Sequence, residues 1–290
     1  RIFLEQNEDD PRLWEAFAAD VFQEYGSYTI SFSARFDHER VSNPVYTYVT
    51  VSEGLNPGAS PIRAILAVGG AEDPGLAASL EDLGSYAYSV YLDRFQDDDG
   101  YKHPDWIEYY TSFAAPGRDG PADSDRLLSA IDNLSLDTGR LYVHIFGDSS
   151  APGQVQLSSG DVITAAALDS ALDDLQSRQF CTVVLIVDAP CSGAFMSSCH
   201  ATGNQRRVVM TSGRPDDTAL FLPGIMPSSF SQKVLAAAYQ GHNLDAAFFS
   251  GKHFFRAFLH NRIIPQMDDN GDGISNKYDG TLAGELFLGH

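Results

Sequence analysis

Two uninterrupted apolar runs constrain this chain more than any other feature: Ala64-Ile-Leu-Ala-Val-Gly-Gly70 and Thr182–Val187. A strand that is apolar at every position must be covered on both faces, as happens in a sheet sandwiched between helices. The segments around these runs alternate in type. Helical periodicity is expected over Leu76–Phe95, Asp123–Asn133 (with Asp123 as N-cap), Ile163–Gln176, Phe230–Ala238 and Asn243–Phe258. Shorter strands are expected at Trp106–Ser112, Leu141–Phe146 and Arg207–Thr211. Strands alternating with helices imply βαβ units and an α/β fold with a mainly parallel central sheet. In such sheets sites form where strands end at their carboxyl edge. That rule selects the loops after Gly70, Phe146, Val187 and Thr211.

The first sixty residues follow a different pattern. Leu13, Trp14, Phe17, Val21 and Phe22 recur at helical spacing and suggest one amphipathic helix. Tyr28–Phe36 and Val45–Val51 alternate aromatic or β-branched residues with polar ones, as in a half-buried hairpin. The run Glu53-Gly-Leu-Asn-Pro-Gly-Ala-Ser-Pro61 has the composition of a linker. The expected organisation is therefore a small β-rich segment, residues 1–60, followed by an α/β domain, residues 61–290.

Charge narrows the partners. With 39 acidic and 19 basic residues the formal net charge is −20, a surface that repels nucleic acid and anionic lipid. No apolar run reaches the ~20 residues of a membrane-spanning helix. Cys181, Cys191 and Cys199 are too few for a disulfide framework, and without paired spacing they do not suggest structural zinc. Cys181 lies in an apolar run and reads as a core thiol. Neither a glycine-rich dinucleotide fingerprint nor a P-loop occurs, and no Gly-x-Ser-x-Gly elbow supports a serine hydrolase.

Two loops carry the chemistry-bearing residues. Phe146-Gly-Asp-Ser-Ser-Ala-Pro-Gly153 leaves one expected strand, and Val187-Asp-Ala-Pro-Cys-Ser-Gly-Ala-Phe195 leaves another. The pair resembles the legumain-like (C13) cysteine peptidases of the caspase-like clan. In those peptidases the first loop, Asp-His-Gly-x-x-Gly, supplies a histidine. The second, Asp/Glu-Ala-Cys-x-Ser-Gly-Ser/Ala, supplies the nucleophile. The resemblance extends over most of the chain after Ile62. Ala64–Gly70 is similar to the first core strand, Leu157–Gln176 to the helix before the cysteine strand, and Gly224–Phe230 leads into a further helix. Arg207–Asp217 is similar to the strand and loop beside the specificity pocket, which places Ser212, Arg214, Asp216 and Asp217 there. The implied architecture is a caspase/legumain-like three-layer sandwich.

The departures fall on the chemistry. Aligned without gaps, Asp148 matches the family, but Ser149 takes the histidine position and Ser150 the glycine position. Asp188 and Ala189 match, Pro190 takes the cysteine position, Cys191 comes one residue late, and Ser192 and Gly193 match again. A cysteine peptidase needs a thiolate and a group that protonates the leaving amine. Serine shuttles no proton near neutral pH and proline has no nucleophile. Cys191 could substitute only if the loop absorbs the shift, against the reversal of side-chain direction at each extended residue and the stiffness of Pro190. His144 lies about 16 Å before Ser149 along a strand, at ~3.3 Å per residue, and reads as a core or sheet-face histidine.

Near the end, Asp268-Asp-Asn-Gly-Asp-Gly-Ile-Ser-Asn-Lys-Tyr-Asp279 has the spacing of a twelve-residue calcium loop. Asp268, Asn270, Asp272, the Ile274 carbonyl, Asn276 and Asp279 fall at ligand positions, and Gly273 at the turn. An Asp rather than a Glu closes it, as in dockerin-like modules. A weak structural site of this kind suits an extracytoplasmic protein. The acidic run Gln96–Tyr101 lacks the alternating spacing and reads as a solvated loop.

The expected function is that of a catalytically inactive pseudopeptidase that binds a peptide or protein and is stabilised by calcium. Two alternatives remain open at this point: an active cysteine endopeptidase using Cys191, and a structural or adhesion module of a larger surface protein.

Overall fold

Tyr142, His144 and Phe146 face one side of a strand whose other face carries Leu141, Val143 and Ile145, and all six are buried. This two-sided burial is repeated across a six-stranded sheet. A computed structural model describes residues 62–289 except 98, 99, 150, 159, 218–228 and 260–262. It gives the backbone alone for residues 256–259 and for the strands before residue 62. In chain order the main elements are β1 (Ile62–Val68), α1 (Pro74–Arg94), β2 (Ile107–Thr111), α2 (Ser124–Asp132), β3 (Arg140–Phe146), β4 (Gln154–Ser158), β5 (Asp161–Thr164), α3 (Ala165–Arg178), β6 (Thr182–Asp188), α4 (Gly193–Ser198), β7 (Arg206–Thr211), α5 (Phe230–Tyr239), α6 (Leu244–Leu259), β8 (Gln266–Asp268) and α7 (Thr281–Glu285).

The sheet order is β8-β7-β6-β3-β1-β2. Only β8 runs antiparallel, pairing Met267 with Met210. The fold class is thus α/β with a mainly parallel central sheet. Val68 pairs with both Phe146 and Thr111, Phe146 with Asp188, and Val187 with Thr211. All five parallel strands therefore end level, at one carboxyl edge.

Alternation along each strand divides the core in two. Ala64, Leu66, Val68, Tyr142, Phe146, Val184 and Ile186 pack beneath α1, α5, α6 and α7. Ile65, Ala67, Leu141, Val143, Ile145, Val183, Leu185 and Val187 pack beneath α2, α3 and α4. Three layers result, because the sheet is too apolar on either face to meet water. The helices start where a side chain can take an orphan amide. Asp73 accepts from Leu76, Asp123 from Arg126, Thr164 from Ala167 and Ser229 from Gln232.

Three local readings are corrected. Trp14–Glu15 is a strand paired with Glu5–Gln6, so the helical spacing from Leu13 is not realised there. Leu13, Phe17, Val21 and Phe22 lie outside the described residues, as does the run Glu53–Pro61. The expected helix from Ile163, and the helical reading of Leu157–Gln176, are interrupted by the hairpin of β4 and β5, where Ile163 opposes Val155. The helix begins after Thr164, whose hydroxyl caps it. Three short elements (α4, β8 and α7) carry too few residues to show a period.

Backbone contacts divide the chain into a unit at Arg1–Asn56 and another at Pro57–His290. Within the first, Gly26–Phe32 pairs antiparallel with Val45–Val51, and Arg35–Phe36 with Arg40–Val41. Among the described residues no helix is long and apolar enough to cross a membrane.

Candidate functional site

The carboxyl edge of the sheet is divided between two covers. Over β1 and β3 lies the hairpin of β4 and β5. Gly70 donates its amide to the Leu157 carbonyl (2.9 Å), and Gln156 donates to the Asp148 carbonyl (2.8 Å). A Cβ on Gly69 would overlap the Gln156 carbonyl oxygen, and one on Gly147 would stand 2.7 Å from it. These glycines are required by close approach of backbone to backbone. In the same loop Ser149 donates its hydroxyl to the Ala151 carbonyl and its amide to the Asp148 carboxylate, both at 2.8 Å. Ser149 is thus engaged by its own loop. Ser150 lies outside the described residues.

The loops from β3 and β6 are neighbours: Gly147 donates its amide to the Asp188 carbonyl (3.3 Å). Asp188 is fully buried. Its Oδ2 accepts the Ser231 amide (2.9 Å), while Oδ1 has no hydrogen-bond partner among the described residues. Burial drives its pKa upward. Ser231 continues the chain of polar contacts. Its hydroxyl meets His144 Nε2 at 2.8 Å, and His144 Nδ1 meets the Tyr91 hydroxyl at 3.3 Å. His144 also stacks on Phe146, with ring centroids 4.1 Å apart. Burial drives its pKa down to about 3, so the ring is neutral at ordinary pH. It is a core histidine whose two nitrogens are already engaged.

Cys191 occupies an unusual position. Its φ of 55° is the one positive φ outside glycine among the described residues, and its side chain is 8% exposed. A left-handed non-glycine residue costs roughly 1–2 kcal/mol, so surrounding contacts must hold it. Its amide donates to the Asp217 carbonyl at 2.7 Å. Burial, then the nearby Asp217 and Asp216 carboxylates, push the thiol pKa up. A nucleophilic cysteine needs the opposite environment. Among the described residues no histidine hydrogen-bonds to it. Cys181 and Cys199 are buried with pKa pushed up to about 12.

The pocket residues sort differently. Ser212 is buried and meets Ser192, hydroxyl to hydroxyl, at 3.3 Å. Asp217 is buried and its carboxylate accepts from the Arg214 amide, the Arg214 guanidinium and the Ile264 amide, at 2.8–3.0 Å for the closest pairs. Asp216 is exposed. Arg214 pairs with both Asp216 and Asp217. Sequence reasoning passed over Ser231, Tyr91 and Gln266, which mark themselves by no motif.

At the C-terminal loop, carboxylate oxygens of Asp268, Asp272 and Asp279 lie within 4.8 Å of one another. Asp279 Oδ1 is buried and has no hydrogen-bond partner among the described residues. Burial, with Asp268 and Asp269 nearby, drives the Asp279 pKa up to about 6. Crowded carboxylates with an orphaned oxygen fit a hard divalent cation. Asn270 Oδ1 accepts the Asp272 amide, and the Ile274 carbonyl accepts from the Asn276 side chain. Asp269, at a non-ligand position, takes the amides of Gly280 and Ala283 and so begins α7.

A separate cleft of about 670 Å³ beside α2 is lined by Glu108, Asp123, Asp125, Arg126 and Asp161. Three of its four carboxylates are engaged in structure, Glu108 by the Tyr110 hydroxyl. Asp161 takes the amide and hydroxyl of Ser124, and Asp123 caps α2 and pairs with Arg126.

No protein-family model matches this chain, and no curated protein does. Among solved structures it is similar to caspase-1 from Spodoptera frugiperda, at 10% identity and a TM-score of 0.47, covering 72% of this chain and 86% of that one.

Proposed function

We propose that this chain is a homologue of the caspase-clan peptidases, legumain-like in its two loops, that binds a peptide or protein segment without hydrolysing it. The observation that carries this reading is Cys191. It is shielded, its thiol is pushed away from ionisation, and no described histidine hydrogen-bonds to it. The nearest histidine in sequence to the first loop, His144, is engaged by Tyr91 and Ser231 in the core. Pro190 and Ser149 stand where a nucleophile and a base would be needed.

Calcium belongs to the same proposal. Asp268, Asn270, Asp272, Ile274, Asn276 and Asp279 would hold it, and the ion would neutralise the crowded carboxylates and fasten β8 and α7 together. A weak loop of this kind is filled where calcium is millimolar, outside the cytoplasm.

The test is hydrolysis of a diverse peptide library by the purified chain beside Cys191→Ala. Equal, background-level cleavage by both supports the reading. A rate that vanishes in Cys191→Ala establishes a working peptidase and overturns it. One observation favours a second reading, a purely structural module: Arg214 and Pro215 pack directly on Gly193, over the loop a peptide would approach.

A further inference from the structure

The cover on the second half of the carboxyl edge is a turn, residues 213–217, fastened largely by polar contacts. A Cβ on Gly193 would stand 2.6 Å from Pro215 Cδ and 2.7 Å from the Arg214 carbonyl carbon, so the turn rests on the first residue of α4. On its sheet side it is anchored. Ser212 donates its amide to the Val187 carbonyl (3.1 Å), and Gly213 donates to the Ser192 hydroxyl (3.2 Å). At its far end Asp217 does three things at once. Its carbonyl takes the Cys191 amide. Its Oδ2 takes the amides of Arg214 and Ile264 (2.8 and 3.0 Å). Its Oδ1 takes the Arg214 guanidinium (3.0 Å).

We infer that the turn at residues 213–217 is a latch over the Cys191 loop, closed by Asp217, that lifts to admit a peptide to the carboxyl edge of the sheet. The fastening suits a latch. It is made of polar bonds around one carboxylate rather than of buried apolar area, and Arg214 reaches it from a side chain 40% exposed to solvent. Such contacts open locally at far lower cost than a packed core. The left-handed backbone at Cys191 supplies a bias toward opening, because the strain is held only while surrounding contacts over-determine it. Ile264 ties the same carboxylate to the segment entering β8, whose Gln266 Oε1 would stand 2.6 Å from a Cβ on Gly193. Release at Asp217 therefore frees both sides of the α4 start together.

The inference rests on the peptide-binding reading for its purpose only; the latch itself is tested without ligand. Asp217→Asn keeps the size of the side chain and removes its charge, and Arg214→Ala removes the exposed half of the clamp. Amide hydrogen exchange over residues 189–194 reads opening independently of thiol ionisation, and maleimide labelling mapped to Cys191 reads exposure of the side chain. Loss of a hydrogen-bonded charge should speed exchange about ten- to a hundredfold in Asp217→Asn. A smaller gain, roughly three- to tenfold, is expected in Arg214→Ala. Labelling of Cys191 should rise in step while Cys181 and Cys199 stay protected. Exchange within about twofold of the parent in folded Asp217→Asn, or in Arg214→Ala should the first variant not fold, overturns the latch. Faster exchange with no peptide captured from a library by either variant keeps the latch and removes the peptide-binding reading.

Discussion

Removing calcium should weaken this domain, and the size and pH dependence of the loss follow from Asp279. Its pKa is about 6 against an ordinary 3.8. A folded pKa raised in this way means that the native state binds the proton more tightly than the unfolded chain. The stability it contributes is present below pH 4 and is lost as pH rises through 6. The full gap would be worth about 3 kcal/mol; solvent screening of a partly exposed carboxylate reduces this to about 1–2 kcal/mol. Asp268, raised by burial, acts with the same sign. In chelator the domain should therefore become less stable between pH 4 and 6.5. If the loop binds calcium as proposed, the ion would remove that loss by replacing the proton. At about a hundredfold excess over the dissociation constant, linkage adds about 2.7 kcal/mol, or roughly 5–10 °C in Tm for a unit of this size. Thermal melts at several pH values, with chelator or with calcium, read both effects. Asp279→Asn should flatten the pH dependence in chelator and abolish the calcium shift. Equal Tm with chelator and with calcium at pH 7 would refute the reasoning.

His144 should make the domain acid-sensitive from a different origin. Its pKa of about 3 lies below the ordinary 6.5, so the unfolded chain takes the proton first and stability falls as pH drops from 6.5 toward 3, by about 5 kcal/mol in all. His144→Gln should be less stable at pH 7 yet lose less on acidification, as urea melts across that range would show. Arg207→Met should cost about 2–4 kcal/mol in urea unfolding, because a fully buried guanidinium serves Gln176, Asp169, Asp173 and the Cys199 carbonyl. A cost below about 0.5 kcal/mol would show that those groups resolvate freely. Gly69→Ala should destabilise by about 2–4 kcal/mol, since the hairpin backbone must move to accept a methyl group; unchanged stability would mean that the hairpin yields. Pro190→Cys combined with Ser149→His should leave peptide hydrolysis at background, because both replacements enter loops whose polar groups and approach are already occupied; restored turnover would contradict that geometry.

The sheet was legible because burial on both faces writes apolar runs: strands expected at Ala64–Gly70, Leu141–Phe146 and Thr182–Val187 are found at Ile62–Val68, Arg140–Phe146 and Thr182–Asp188. The stretch around Ile163 was not, because the apolar strand residue Ile163 runs directly into Leu168, Leu172 and Leu175, which do fall at helical spacing. Period alone does not distinguish a strand feeding a helix from one longer helix; the Thr164 cap does. At the site, the structure brings the loop after β3 against the loop after β6, through the Gly147 amide and the Asp188 carbonyl. The clamp was invisible, since Arg214 and Asp217 look like solvated turn charges until Ile264, far along the chain, supplies the amide that buries the carboxylate.

The loss of peptidase chemistry in this reading is spread over three elements rather than two residues. The loop after β3 turns Ser149 back on Ala151. The loop after β6 holds a left-handed Cys191 under the Asp217 carbonyl. The turn after β7 sits on Gly193. Each of these arrangements is internally satisfied, with its hydrogen bonds formed and its glycines where backbones meet. A catalytic loop, in contrast, leaves donors and a nucleophile unspent for the substrate. One buried group at this edge, the Asp188 Oδ1 carboxyl oxygen, has no hydrogen-bond partner among the described residues. In this reading, opening of the turn at residues 213–217, and not restoration of the dyad, is the step on which peptide recognition by this edge would depend.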